Sequence, residues 1–144
     1  MQDLFWIEFG EAVDEFAAES LQKKSQMMME HAGITREVNL LFCSVQTIQS
    51  LNQTYRSMDK PTDILSFGYS GEDEPLGDLA ICMEIAQQQA DRYGFDLEDE
   101  LLRLIAHGLM HLQGYDHESA EAEAEMLKNE QELLKVIGLS SLYP

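Results

Sequence analysis

The sequence predicts an α+β fold in which a mixed four-stranded sheet is packed by about five helices, and three observations carry that prediction. Four short segments rich in aliphatic and aromatic residues read as strands, the last of them ending near Met83. The first three are separated by stretches with apolar residues at helical spacing, as strand–helix–strand units require. The third and fourth are joined by a short polar loop, which pairs them antiparallel and makes the sheet mixed. From the first to the third strand, the helical connections imply parallel pairing with right-handed crossovers.

Taken in order, Leu4–Phe9 is short, aromatic-rich and partly alternating, a strand. Glu11–His31 follows as a helix with Val13, Phe16, Ala17, Leu21 and Met28 in rhythm, closed by Gly33. His31 sits in its last turn, where a positive side chain offsets the helix dipole, so its role is structural. Met27, Met28 and Met29 read as core filler. Val38–Val45 is nearly continuous apolar sequence, as in a strand covered on both faces. Thr47–Arg56 is helical, with Ile48, Leu51 and Tyr55 on one side. Asp59–Thr62 is turn chemistry leading into a strand at Asp63–Gly68. Tyr69–Pro75, with Gly71, Pro75 and three acids, is the expected flexible loop before a fourth strand at Leu76–Met83. Glu84–Tyr93 forms a helix ended by Gly94. Asp96 caps the next helix, which carries Glu98, Asp99 and Glu100 in its first turn and a stripe of Leu97, Leu101, Leu104, Ile105, Leu109 and Leu112. Ser119 opens the last helix, with Glu121, Glu123 and Glu125 on a solvated face.

At 144 residues, the chain is expected to form a single domain over 1–144, long enough to bury a core. No basic region precedes the apolar run Leu4–Ile7 and no stretch approaches membrane-spanning length, so a cytoplasmic protein without membrane contact is expected. Cys43 and Cys82 fall in apolar strands outside any Cys-x-x-Cys pair and read as buried free thiols. The formal charge of −18, from 27 acids against nine Lys and Arg, weighs against non-specific affinity for polyanions. No DNA partner is expected. An RNA substrate would have to be met by a local basic spot, a metal ion or a protein partner.

The chemistry concentrates between His107 and His117, which hold three of the four histidines. His107 and His111 lie one helical turn apart on one face, at the edge of the apolar stripe. Gly114 can take the left-handed conformation that ends the helix, letting the chain return His117 toward them. Three imidazoles with a fourth position left for water suit a catalytic Zn²⁺, one ion, on a zincin-like helix. The spacing is that of the metzincin proteases, yet Gly108 stands where those enzymes carry the glutamate base. Peptide hydrolysis is therefore disfavoured.

Arg56, with Lys60 close behind, is a small basic island before the turn. Beside a metal its guanidinium could clamp phosphate oxygens; alone it reads as a surface arginine paired with an acid. Asp63 and Asp78 could orient a histidine or hold a turn.

Three segments together resemble the YbeY family of bacterial single-domain, metal-dependent endoribonucleases: Leu51–Phe67, Leu76–Ile81 and His107–His117, in matching order and spacing over essentially the whole chain. Glycine after the first histidine is the usual residue there; Gly68, where many members have proline, is a small departure at a strand end. The resemblance implies zinc held by His107, His111 and His117, a catalytic Arg56, and single-strand-specific cleavage in maturation of the 3′ end of small-subunit 16S rRNA and in ribosome quality control. It also implies the ribosomal small subunit and a ribosome-associated protein as partners. Two other readings stand beside it: a non-enzymatic ribosome-assembly factor with a structural zinc and, further off, a zinc peptidase.

Overall fold

The computed structural model describes residues 3–139, which form four strands and five helices. In chain order these are β1 (Phe5–Phe9), α1 (Glu19–His31), β2 (Val38–Cys43), α2 (Val45–Arg56), β3 (Ile64–Gly68), β4 (Gly77–Cys82), α3 (Met83–Tyr93), α4 (Leu97–Leu112) and α5 (Ala120–Val136). The expected α+β class, mixed sheet and helix number are what the chain adopts.

Strand order is β1-β2-β4-β3, with β1, β2 and β4 parallel and β3 antiparallel to β4. The expectation that the first three strands run parallel therefore holds for β1 and β2 and fails for β3. Burial supplies the reason. In β4 every residue but Asp78 is buried, so it takes the interior slot beside β2. In β3 only Leu65 is buried, and that strand tolerates the edge.

The first helix starts eight residues later than its apolar spacing suggests, at Glu19 rather than Glu11. Ala12 has a positive φ of 63°, which a helix does not accommodate, and Gly10 donates to the Phe42 carbonyl at 2.8 Å. Phe16 then stacks its edge on Phe9, ring centroids 5.1 Å apart, and lies 5.5 Å from Phe42. The apolar residues that mimic a helical stripe thus close one end of the sheet. The loop after β3 also differs from expectation, because one guanidinium stitches it together. Arg36 donates to the carbonyls of Tyr69, Gly71, Glu74 and Pro75 at 2.7–3.1 Å.

The larger core lies between one sheet face and α1, α4 and α5, around residues such as Phe5, Leu40, Leu79, Leu102 and Leu134. Met28 and Met29 are fully buried in it, as core filler should be, while Met27 is exposed. A smaller cluster of Cys43, Ile48, Leu65, Ala80 and Cys82 lies beneath α2 on the other face, and both thiols are free and buried. Burial pushes the Cys43 thiol up to about 12 and raises Cys82 as well. Ser119 caps α5 by accepting from the Ala122 amide, whereas Asp96 occupies the cap position of α4 without a side-chain bond. Glu100, in that first turn, is buried and held by two bonds from Arg103 at 2.6 and 2.8 Å. No helix among the described residues is long and apolar enough to cross a membrane.

Candidate metal centre

Helix α4 approaches the sheet closely because two glycines leave room for it. A Cβ on Gly77 would sit 2.4 Å from a Leu112 methyl and 2.5 Å from the Phe67 carbonyl. One on Gly108 would meet Leu79 at 2.7 Å and Ile64 at 3.0 Å. The helix therefore lies against β3 and β4 with His107 and His111 half-buried at the sheet edge. Its last turn closes with Gly114 at φ 98°, its amide donating to the His111 carbonyl at 3.0 Å and that of Tyr115 to Met110 at 3.1 Å. The chain reverses there and returns His117, as the glycine spacing suggested.

The three imidazoles converge. His107 and His111 stand 4.6 Å apart between ring centroids, His107 and His117 5.2 Å, His111 and His117 5.1 Å. One nitrogen from each falls within 4.8 Å of the other two. The Nε2 atoms of His107 and His111 are 3.1 Å apart, close to the spacing of about 3.3 Å between two ligands each about 2.0–2.1 Å from a tetrahedral zinc. Desolvation lowers the pKa of His111, reinforced by His107 and His117, so this ring is held in the neutral form that a metal requires. The donor set fits a metal ion.

The centre opens into a cleft of about 630 Å³ lined by His107, His111, Leu112 and the backbone run of β3, with Thr62, Asp63 and Arg56. Arg56 comes from the last turn of α2, far away in sequence. That helix ends at Ser57 with φ 58°, the amides of Ser57 and Met58 returning to Gln53 and Asn52, and buried Asn52 donates to the Lys60 carbonyl at 2.9 Å. The turn so fixed presents Arg56 to the strand edge, where it donates to the Ser66 carbonyl and lies 5.4 Å over the Phe67 ring. Arg56 thus shares one cleft with His107 and His111.

Neither aspartate orients a histidine. Asp63 holds its turn by accepting from the Ile64 amide at 2.7 Å, and its other oxygen meets Gln89 at 3.3 Å. Asp78 accepts from Asn39 at 3.2 Å and from the Tyr69 hydroxyl, which raises the tyrosine pKa. His31 is exposed in the last turn of α1 and stands apart from the histidine cluster. Sequence reasoning passed over Glu130 of α5, a buried carboxylate in contact with Nδ1 of His107. Its signal was register: Met126, Glu130, Leu133 and Leu134 share the face of α5 that packs inward.

The family described as Endoribonuclease YbeY matches residues 7–138. Proteins named Endoribonuclease YbeY from Staphylococcus aureus strains JH9 and Newman are each 41% identical over 122 residues, covering 77% of this chain and 79% of their own. The solution structure of a Thermotoga maritima protein superposes with a TM-score of 0.61 at 30% identity, over 97% of both chains.

Proposed function

We propose that this chain, which belongs to the endoribonuclease YbeY family, is a zinc-dependent hydrolase that cleaves single-stranded rRNA. The observation that carries the reading is the convergence of His107, His111 and His117, the first two of which line a cleft together with Arg56. Those three histidines would hold the ion, which supplies a nucleophilic water near neutral pH and offsets developing charge. Arg56, anchored on the Ser66 carbonyl and the Phe67 ring, would bind a non-bridging phosphate oxygen and favour the more highly charged transition state. Asp63, the carboxylate among the lining residues, spends both oxygens on the turn and on Gln89 and serves as a support. A base at position 108 has no room, since the β3–β4 side chains fill that space, which counts against a peptidase.

The family name extends the reading to RNA, and the finer placement belongs to the same proposal: cytoplasmic processing of the 16S rRNA 3′ end and ribosome quality control, at the small ribosomal subunit and with a ribosome-associated protein. The formal charge of −18 favours a second reading, a ribosome-assembly factor whose zinc is structural, because acidic surfaces suit basic protein partners better than free RNA. Metal analysis of the purified protein, joined to cleavage of a single-stranded RNA with and without chelator, tests the first. His111→Ala separates the two: a folded protein without cleavage supports the enzyme, and an unfolded one supports structural zinc.

A further inference from the structure

We propose that Glu130 is a positioning residue for the metal centre, holding His107 from α5 in the tautomer whose Nε2 is free to face His111 and His117. The inference rests on the metal reading above and adds a residue to it. Glu130 is only 4% exposed, on a helix whose other glutamates at 121, 123, 125 and 132 lie in solvent. Burying a carboxylate costs several kcal/mol unless a partner compensates it, so its position calls for a reason. The structure supplies one, the contact between a Glu130 carboxylate oxygen and Nδ1 of His107.

A carboxylate accepts hydrogen bonds and does not donate them, so with Glu130 as acceptor the proton of this contact sits on Nδ1. Nε2 of the neutral ring is then bare, and Nε2 is the atom 3.1 Å from His111 Nε2. The carboxylate cannot drift, because Met126, Leu133 and Leu134 beside it are buried on the face of α5 that packs against α4. The position of α5 thereby becomes part of the metal site, although it offers no ligand to the cluster. Glutamine in place of Glu130 keeps the shape but can present either its amide oxygen or its amide nitrogen to Nδ1, and the tautomer is no longer dictated.

The test uses protein stripped with chelator. Zinc affinity of the parent and of Glu130→Gln is measured by competition with a chromogenic chelator. The tautomer of His107 is read from ¹⁵N–¹H long-range correlations of the imidazole, and circular dichroism checks the fold. The expected result is a folded variant that binds zinc about 10–100-fold more weakly, with His107 a mixture of tautomers. A folded Glu130→Gln with parent zinc affinity and an unchanged His107 tautomer overturns the proposal and leaves the metal reading standing. A parent protein that binds no divalent ion overturns both.

Discussion

Replacing Gly108 tests whether α4 is held against the sheet as tightly as the geometry requires. Two terms oppose each other in Gly108→Ala. Alanine in a helix interior is favoured over glycine by about 1 kcal/mol, which alone would stabilise the protein. The new methyl, however, would lie 2.7 Å from Leu79 and 3.0 Å from Ile64, and Leu79 is 1% exposed with little space to turn into. Overpacking of that kind costs about 1–3 kcal/mol, so the net is a loss of roughly 0–2 kcal/mol. For a domain of this size that lowers Tm by a few degrees, at about 2–4 °C per kcal/mol. Gly108→Glu adds a buried carboxylate without a partner, at a further several kcal/mol, and should leave little folded protein, given a total stability of about 5–15 kcal/mol. Urea titrations followed by circular dichroism measure both. A Gly108→Ala variant stabilised by about 1 kcal/mol would show that only propensity operates at this position, and the close-approach argument would fall. A Gly108→Glu variant as stable as the parent would mean that the position opens to the cleft instead.

Alanine at His107, His111 or His117 should each lower bound metal sharply, as read by elemental analysis; near-stoichiometric metal in all three variants would dissolve the proposed centre. Arg56→Ala should keep the fold and the zinc but lose cleavage by a factor on the order of a hundred, and Arg56→Lys should recover only part of it because an ammonium lacks the planar donor pair. Cleavage at the parent rate by Arg56→Ala would return the residue to the surface. RNA binding should fall with salt on a log–log slope of only about −0.7 to −1.4, since Arg56 and Lys60 offer one or two phosphate contacts at about −0.7 each; a slope steeper than about −4 would reveal a wider basic surface. Cys43 and Cys82 should resist iodoacetamide at pH 8 until the protein unfolds. Because burial holds both thiols above their ordinary value of 9.0, the native state retains protons that the unfolded chain releases; stability full at neutral pH should therefore decline above about pH 9, and a flat stability profile from pH 8 to 10 would contradict the burial argument.

What the sequence conveyed about the fold depended on how local the determinant was. The histidine cluster was legible because one helical turn and one glycine place two rings and then reverse the chain, all within His107–Gly114. Strand types were legible too, but their order was not. Whether β3 or β4 lies beside β2 depends on comparative burial, and both strands look apolar when read alone. The segment before Glu19 misled for a related reason, since Phe16 is apolar at helical spacing yet packs on Phe9 and Phe42 of two different strands. Glu130 was hidden by its company, one more acid on a helix rich in them, until the packing of α5 separated it from the rest. Arg56 was named through the family resemblance, since residue type alone reads as a surface arginine; its approach to the cleft comes from the Ser57 turn and the Asn52 bond, which no spacing rule reports.

Charge connects these pieces. A total of −18 opposes residence on RNA in general, but beyond about 8 Å physiological salt screens most of what exposed acids do, so the cleft answers mainly to its own groups. Among its lining residues Arg56 and Asp63 cancel, and the imidazoles must be neutral to bind a metal. A divalent ion held by them would turn a local charge near zero into about +2 at one point, in a site partly shielded from water. The same balance gives the protein little to gain from searching along free RNA, because the remaining acids repel it wherever the ion is not. Substrate presented in a fixed position would remove the search and leave only the contact at the cleft. Holding one such ion in its cleft, an acidic chain would be better suited to cutting RNA that is already held than to finding it.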